Sequence, residues 1–161
     1  MKLDLEVGQT ASRRLTVTEA HVRSYAEISG DRNPLHFDAD FAAQTPFGRL
    51  VAQGGLTTGI LHALVAEDLP GPGTVFLSQN WKFTAPVFIG DTIVGSVEVM
   101  SVHASKPVCQ LRVKVEREGG ETVLEGEVWG RWQVRVACRI IHSSLICPWT
   151  LSTPTHRRRM K

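Results

Sequence analysis

The stretch that follows Gly54-Gly55, LTTGILHALVAEDLP, constrains this chain most. Leu56, Ile60, Leu61, Ala63, Leu64 and Val65 cover nearly the whole circumference of a helix, and a helix apolar all round is buried on several sides. Pro70, Gly71, Pro72 and Gly73 end it. What packs around it is legible downstream, because from Val75 onward the apolar period changes to two. Val97 and Val99 alternate with Ser96, Glu98 and Met100; Leu111, Val113 and Val115 alternate with Arg112, Lys114 and Glu116. Gly119-Gly120 makes a hairpin turn into a strand over about 121–132, and Ile89 to Thr92 reads as another tight turn. Helices come early, then one buried helix, then a run of antiparallel strands. That order is α+β, a curved sheet wrapped on a central helix.

Charge separates the last segment from this body. Residues 1–132 carry twelve basic and sixteen acidic residues, whereas residues 133–161 carry six basic residues and no acid. The 161-residue chain is thus read as one domain, 1–132, followed by a basic C-terminal tail, 133–161, that shares neither periodicity. The run THRRRMK has no interleaved aromatics, so no nucleic-acid partner is expected. No apolar run reaches the length of a membrane span, and the N-terminal MKLDLEVGQTASRRL has no apolar core; a cytoplasmic setting is expected. Cys109, Cys138 and Cys147 form no metal-spaced pair and read as free thiols.

The polar residues cluster ahead of the buried helix, in ISGDRNPLH. Thr18 caps a helix carrying Val22, Tyr25 and Ala26, and Gly30 stops it, since glycine takes the left-handed conformation cheaply. Asn33-Pro34 cannot continue a helix, so Asp31 to His36 lies on a loop; Asp38 then caps a short helix, DADFAAQ. A carboxylate and an imidazole on one stiffened loop can be aimed at one water for acid/base work. Spacing alone equally allows a plain turn with an edge histidine, and favours it. Gly54 and Gly55 open the buried helix, where unpaired N–H groups and the helix dipole suit a carbonyl that gains charge. A tight helix entry would use the same two glycines. GxxxxGK[ST], HExxH and GxSxG are absent, and no metal site is expected.

The run from Tyr25 to His36 resembles the hydratase-2 motif of the MaoC-like, (R)-specific enoyl-CoA hydratases. The continuation to Ala42 also matches, as do Ala52-Gln53-Gly54 and the later stretch from Phe83 to Thr92, so the likeness spans about residues 5–132. It implies the hot-dog fold, an antiparallel sheet wrapped around a long central helix. It also implies reversible hydration of a trans-2-enoyl-CoA to the (R)-3-hydroxyacyl-CoA, with no metal or redox cofactor. Such chemistry serves fatty-acid metabolism and polyhydroxyalkanoate precursor supply. Carried over, Asp31 and His36 are the catalytic pair: Asp31 takes the proton from water, while His36 orients the water and supplies or relays a proton to the α-carbon. Asn33 supports the loop, and the Gly54 N–H meets the thioester carbonyl. Relatives often read Ala-His-Gly where this chain has Ala52-Gln53-Gly54, a change that leaves the backbone donor in place. Thr58, Leu61, His62 and Val65 are candidates for the acyl pocket, Leu61 and Val65 being readable as core instead. A homodimer is expected, binding acyl-CoA. A dehydratase acting on carrier-bound 3-hydroxyacyl groups, an acyl-CoA thioesterase and a non-catalytic acyl-binding module are the alternatives.

Overall fold

The computed structural model describes residues 5–132; the tail, with Cys138 and Cys147, lies outside the described residues. Five antiparallel strands form one sheet in the order β1-β3-β4-β5-β2: β1 Thr10–Thr16, β2 Thr74–Phe83, β3 Thr92–Val102, β4 Val108–Arg117 and β5 Thr122–Trp132. Three α-helices precede β2: α1 Glu19–Ser29, α2 Ala39–Ala43 and α3 Gly54–Ala63. A π-helical turn, Leu64–Asp68, prolongs α3 toward Pro70. The α+β architecture, a sheet curved over a central helix, is the one expected. Among the described residues no helix is long and apolar enough to cross a membrane.

The alternating strands place one face on α3. Ile93, Val97 and Val99 of β3 and Leu111, Val113 and Val115 of β4 are buried, and they meet Leu61, Leu64 and Val65. Each such side chain contributes about 1.5–3 kcal/mol by leaving water, which is what holds the helix on the sheet. The opposite face is polar: Arg112 pairs with Glu98, and Gln110 donates to Glu127.

One expectation needs correction. The sheet does not begin after the buried helix, because TASRRLT is already a strand, paired with β3 from Thr10↔Glu98 to Thr16↔Thr92. Its inward face is Ala11, Arg13 and Leu15, all half-buried, so an arginine interrupts the apolar alternation that would have marked it. Helix α3 is buried on several sides, as expected, and open on one flank. Ile60 and Leu61 are buried, but Leu56 and Ala63 are only half-buried and His62 is exposed. That flank borders an open cleft of about 500 Å³. Among the described residues the far edge of the sheet is open too: β2 presents Val75 and Leu77 to solvent, and neighbouring Trp129 of β5 is exposed.

Leu61 has no solvent exposure, so Leu61→Ala is expected to lower unfolding stability by about 2–5 kcal/mol, read from urea denaturation. Cys109 is equally buried, and burial pushes its thiol up to about 11 against an opposing backbone hydrogen bond with Gly130. The folded state therefore keeps this proton where the unfolded chain, with a thiol near about 8.5, releases it. Stability that depends on this thiol is intact below about 8.5 and is lost as pH rises toward the folded value. Denaturation midpoints across that range are expected to fall more steeply in the wild type than in Cys109→Ala.

Candidate active site

The loop that carries Asp31 and His36 is built by local hydrogen bonds. Thr18 and His21 cap α1 reciprocally, the Thr18 hydroxyl accepting from the His21 N–H and His21 Nδ1 from the Thr18 N–H. At the other end Gly30 takes φ 78° and donates its N–H to the Ala26 carbonyl at 2.9 Å. Asp31 Oδ1 then accepts from the Asn33 N–H at 3.2 Å, and Asn33 Oδ1 accepts from the Leu35 N–H at 3.0 Å. These two Asx turns feed a single 3₁₀ turn, Pro34–His36, whose first residue is the proline.

With Oδ1 committed to the loop, Asp31 turns Oδ2 toward His36 Nε2, 3.6 Å away. That separation is too long for a direct hydrogen bond, but a water about 2.8 Å from both atoms would bridge them. The other ring nitrogen decides what such a water would meet. His36 Nδ1 lies 2.6 Å from the Val51 carbonyl, which can only accept. Nδ1 therefore carries the proton, and Nε2 of the neutral ring is an acceptor. Carboxylate and imidazole both accept, so a bridging water gives each of them a proton and keeps a lone pair for attack. The His36 side chain is 10% exposed and that of Asp31 44%, so the histidine is fixed while the carboxylate faces solvent.

Val51 lies three residues before α3, and the same segment leaves the helix entry open. No side chain caps α3. Gln53, at the cap position, is buried and instead donates from Nε2 to the Val22 carbonyl of α1 at 3.1 Å. The Leu56 N–H donates to the Gln53 carbonyl at 3.0 Å, so among the described residues it is the N–H groups of Gly54 and Gly55 that stay free for a ligand. The Phe83 ring covers Gly54: a Cβ added there would lie 3.2 Å from Phe83 Cζ. Phe47, Val51, Ala52, Gly54, Thr57 and Phe83 border a cleft of about 350 Å³ at this helix entry.

The four acyl-pocket candidates divide. Thr58 is 7% exposed and donates its hydroxyl to the Gly55 carbonyl at 2.9 Å; it borders the cleft on the open flank of α3 together with His62 and Tyr25. The His62 ring packs on Phe76, centroids 5.0 Å apart, with Nε2 3.0 Å from Gln79 Nε2. Leu61 and Val65 point into the core and have no exposure. Sequence reasoning gave no part to Val51 or Phe83. Phe83 stood in a noted motif, but the part Val51 plays belongs to its backbone carbonyl and leaves no mark in residue type.

Residues 4–121 match the family described as a MaoC like domain. The chain is 43% identical over 124 residues to a 3-hydroxybutyryl-CoA dehydratase of Methylorubrum extorquens, covering 77% of this chain and 78% of that protein. An (R)-specific enoyl-CoA hydratase of Aeromonas caviae is 38% identical over 123 residues, 76% of this chain and 92% of its own length. The solved structure of the (R)-hydratase from A. caviae involved in PHA biosynthesis superposes with a TM-score of 0.79 at 36% identity, over 82% of this chain and 100% of that one.

Removing the Asn33 carbonyl oxygen opens the turn that delivers His36. Asn33→Ala is expected to cost about 1 kcal/mol in chemical denaturation, and Asn33→Asp, which keeps the acceptor, to recover most of it. Equal stability of the alanine and aspartate variants would contradict this account of the loop.

Proposed function

Because the chain belongs to the MaoC-like domain family, we propose that it catalyses the reversible (R)-specific hydration of a trans-2-enoyl-CoA to the (R)-3-hydroxyacyl-CoA. The observation that carries this reading is the pair of acceptors, Asp31 Oδ2 and His36 Nε2, set 3.6 Å apart on one loop. A water held there by both protons has its lone pair directed outward, toward the β-carbon of an enoyl thioester. As the C–O bond forms, one proton leaves the water for Asp31, and the electron pair of the double bond moves to the α-carbon and the thioester oxygen.

The free N–H at Gly54 meets that oxygen. Its hydrogen bond strengthens as enolate charge develops, so it lowers the barrier rather than only the binding energy. His36 delivers a proton to the α-carbon. His36 Nε2 starts without a proton: the one that Asp31 took from the water reaches it when the solvent-exposed carboxyl swings from 3.6 Å to hydrogen-bond distance, and the pair ends the cycle with the protons it began with. Hydration changes no oxidation state of the whole molecule, so no redox cofactor is called on, and Asp31 and His36 activate the water in place of a metal. Dehydration is the same path reversed, in keeping with the 3-hydroxybutyryl-CoA dehydratase among the relatives.

The open flank of α3 offers room for the acyl chain, with Thr58 and His62 on its border. The exposed β2 edge suits an antiparallel second copy, which would bury Val75, Leu77 and Trp129. We read the working unit as a homodimer and its setting as cytoplasmic.

Hydration of crotonyl-CoA is followed by loss of the conjugated enoyl thioester absorbance, with chiral analysis of the product. The protein is expected to give the (R)-alcohol, and Asp31→Asn to lower kcat about 10²- to 10⁴-fold, because an amide accepts the water's hydrogen bond but cannot take its proton. Full activity of that variant sinks the mechanism; release of free CoA thiol without hydration sinks the reaction.

A further inference from the structure

We infer that Asp91, clamped by Arg117, is a positioning residue for His36 and acts through Phe88 and the backbone of Val51. The inference rests on the catalytic reading of His36 given above. His36 owes its tautomer to a single carbonyl, so whatever holds that carbonyl also holds the chemistry.

Val51 lies in no regular strand. Its N–H donates to the Leu35 carbonyl at 3.1 Å, and it pairs with Phe88 in an isolated β-bridge, next to which the Ala52 N–H donates to the Val87 carbonyl at 2.7 Å. The partner segment around Phe88 is likewise outside the five strands and needs a support of its own. Asp91 supplies it. Asp91 Oδ2 accepts from the Phe88 N–H at 2.9 Å, and the Asp91 N–H donates to the Phe88 carbonyl at 3.1 Å, closing the turn from both sides.

Arg117, at the end of β4, holds the carboxylate in place. Its Nε lies 2.9 Å from Asp91 Oδ2, an ion pair without an aligned hydrogen bond, and the two side chains are 22% and 14% exposed. Nη1 lies 2.9 Å from Glu121, and Nη2 donates to the Pro86 carbonyl of the same segment. The Phe88 ring lies near two guanidinium groups, Arg49 at 3.8 Å and Arg117 at 5.3 Å from its centroid. A continuous chain of contacts therefore runs from the β4–β5 turn to the imidazole: Arg117, Asp91, Phe88, Val51, His36. Such a mostly buried pair is poorly screened by solvent, and loss of Arg117 leaves the Asp91 carboxylate without its counter-charge beside the turn. A shift of the Val51 carbonyl by about 1 Å or more takes it beyond hydrogen-bond reach of His36 Nδ1 and lets the Nε2–H tautomer form, which presents a donor where the water needs an acceptor.

The test compares Asp91→Ala, Asp91→Asn and Arg117→Gln with the wild type. Two readouts are used: crotonyl-CoA hydration kinetics, and ¹⁵N NMR of the His36 imidazole without substrate. Asp91→Ala is expected to lose roughly tenfold or more in kcat with KM within about twofold, and to shift His36 from the Nδ1–H tautomer to a mixture. Asp91→Asn still accepts from the Phe88 N–H and is expected to keep the tautomer and most of kcat. Arg117→Gln is expected to follow Asp91→Ala more weakly, and it carries the test if that variant does not fold. Folded Asp91→Ala or Arg117→Gln with wild-type kcat and unchanged imidazole signals overturns the inference; so does an equal loss in Asp91→Asn and Asp91→Ala. The imidazole signals need no turnover, so they judge this coupling even where the proposed hydration fails.

Discussion

The 2.6 Å contact between His36 Nδ1 and the Val51 carbonyl is the interaction on which the rest of the site depends. A histidine on a surface loop samples both tautomers and several ring orientations, and acid/base work needs one of each. The carbonyl fixes both, and it does so from a segment that also leads into α3. Two halves of the proposed chemistry, the water-holding pair and the backbone donor at Gly54, are thereby tied together across three residues of chain. Moving either half without the other would require breaking this bond.

The fold serves that junction. The sheet buries Leu61, Leu64 and Val65 and so fixes α3, while Gln53 reaches back to α1 and ties the helix that precedes the loop to the entry of α3. Gln53 spends its side chain on this tie rather than on capping, and the helix entry stays open for a ligand carbonyl. A conventional Ser or Asp cap in its place would stabilise α3 and occupy the donors that the chemistry needs. Here local stability yields to function, a pattern common where a binding group must remain unsatisfied until its ligand arrives.

Much of this was legible in the sequence because it is local. Gly30, Asn33-Pro34 and Asp38 end, bend and restart the chain through their own backbone preferences and short side chains, and the structure places each as those preferences imply. Strands β3 and β4 show clean alternation, and a Gly119-Gly120 turn leads the chain into β5. Strand β1 escaped because its inward face holds Arg13 between Ala11 and Leu15, and two apolar residues make no period. A helix apolar nearly all round could not say which flank stays open, so Leu61 and Val65, though readable as core, stood beside Thr58 and His62 as candidates. Long-range contacts were out of reach for a different reason. The Val51 carbonyl and the Asp91–Arg117 pair act through backbone geometry set by tertiary packing, which no residue spacing encodes.

The central claim is that a fixed tautomer of His36 and the free oxygen of Asp31 hold one water by its two protons. Neutron diffraction from a deuterated crystal of the protein near neutral pH tests it directly. The account expects a deuteron on His36 Nδ1, none on Nε2, and a water within hydrogen-bond distance of both Nε2 and Asp31 Oδ2 with its two deuterons pointing at them. A deuteron on Nε2 in a neutral ring, or the two side chains bonded directly with no water between them, would contradict it.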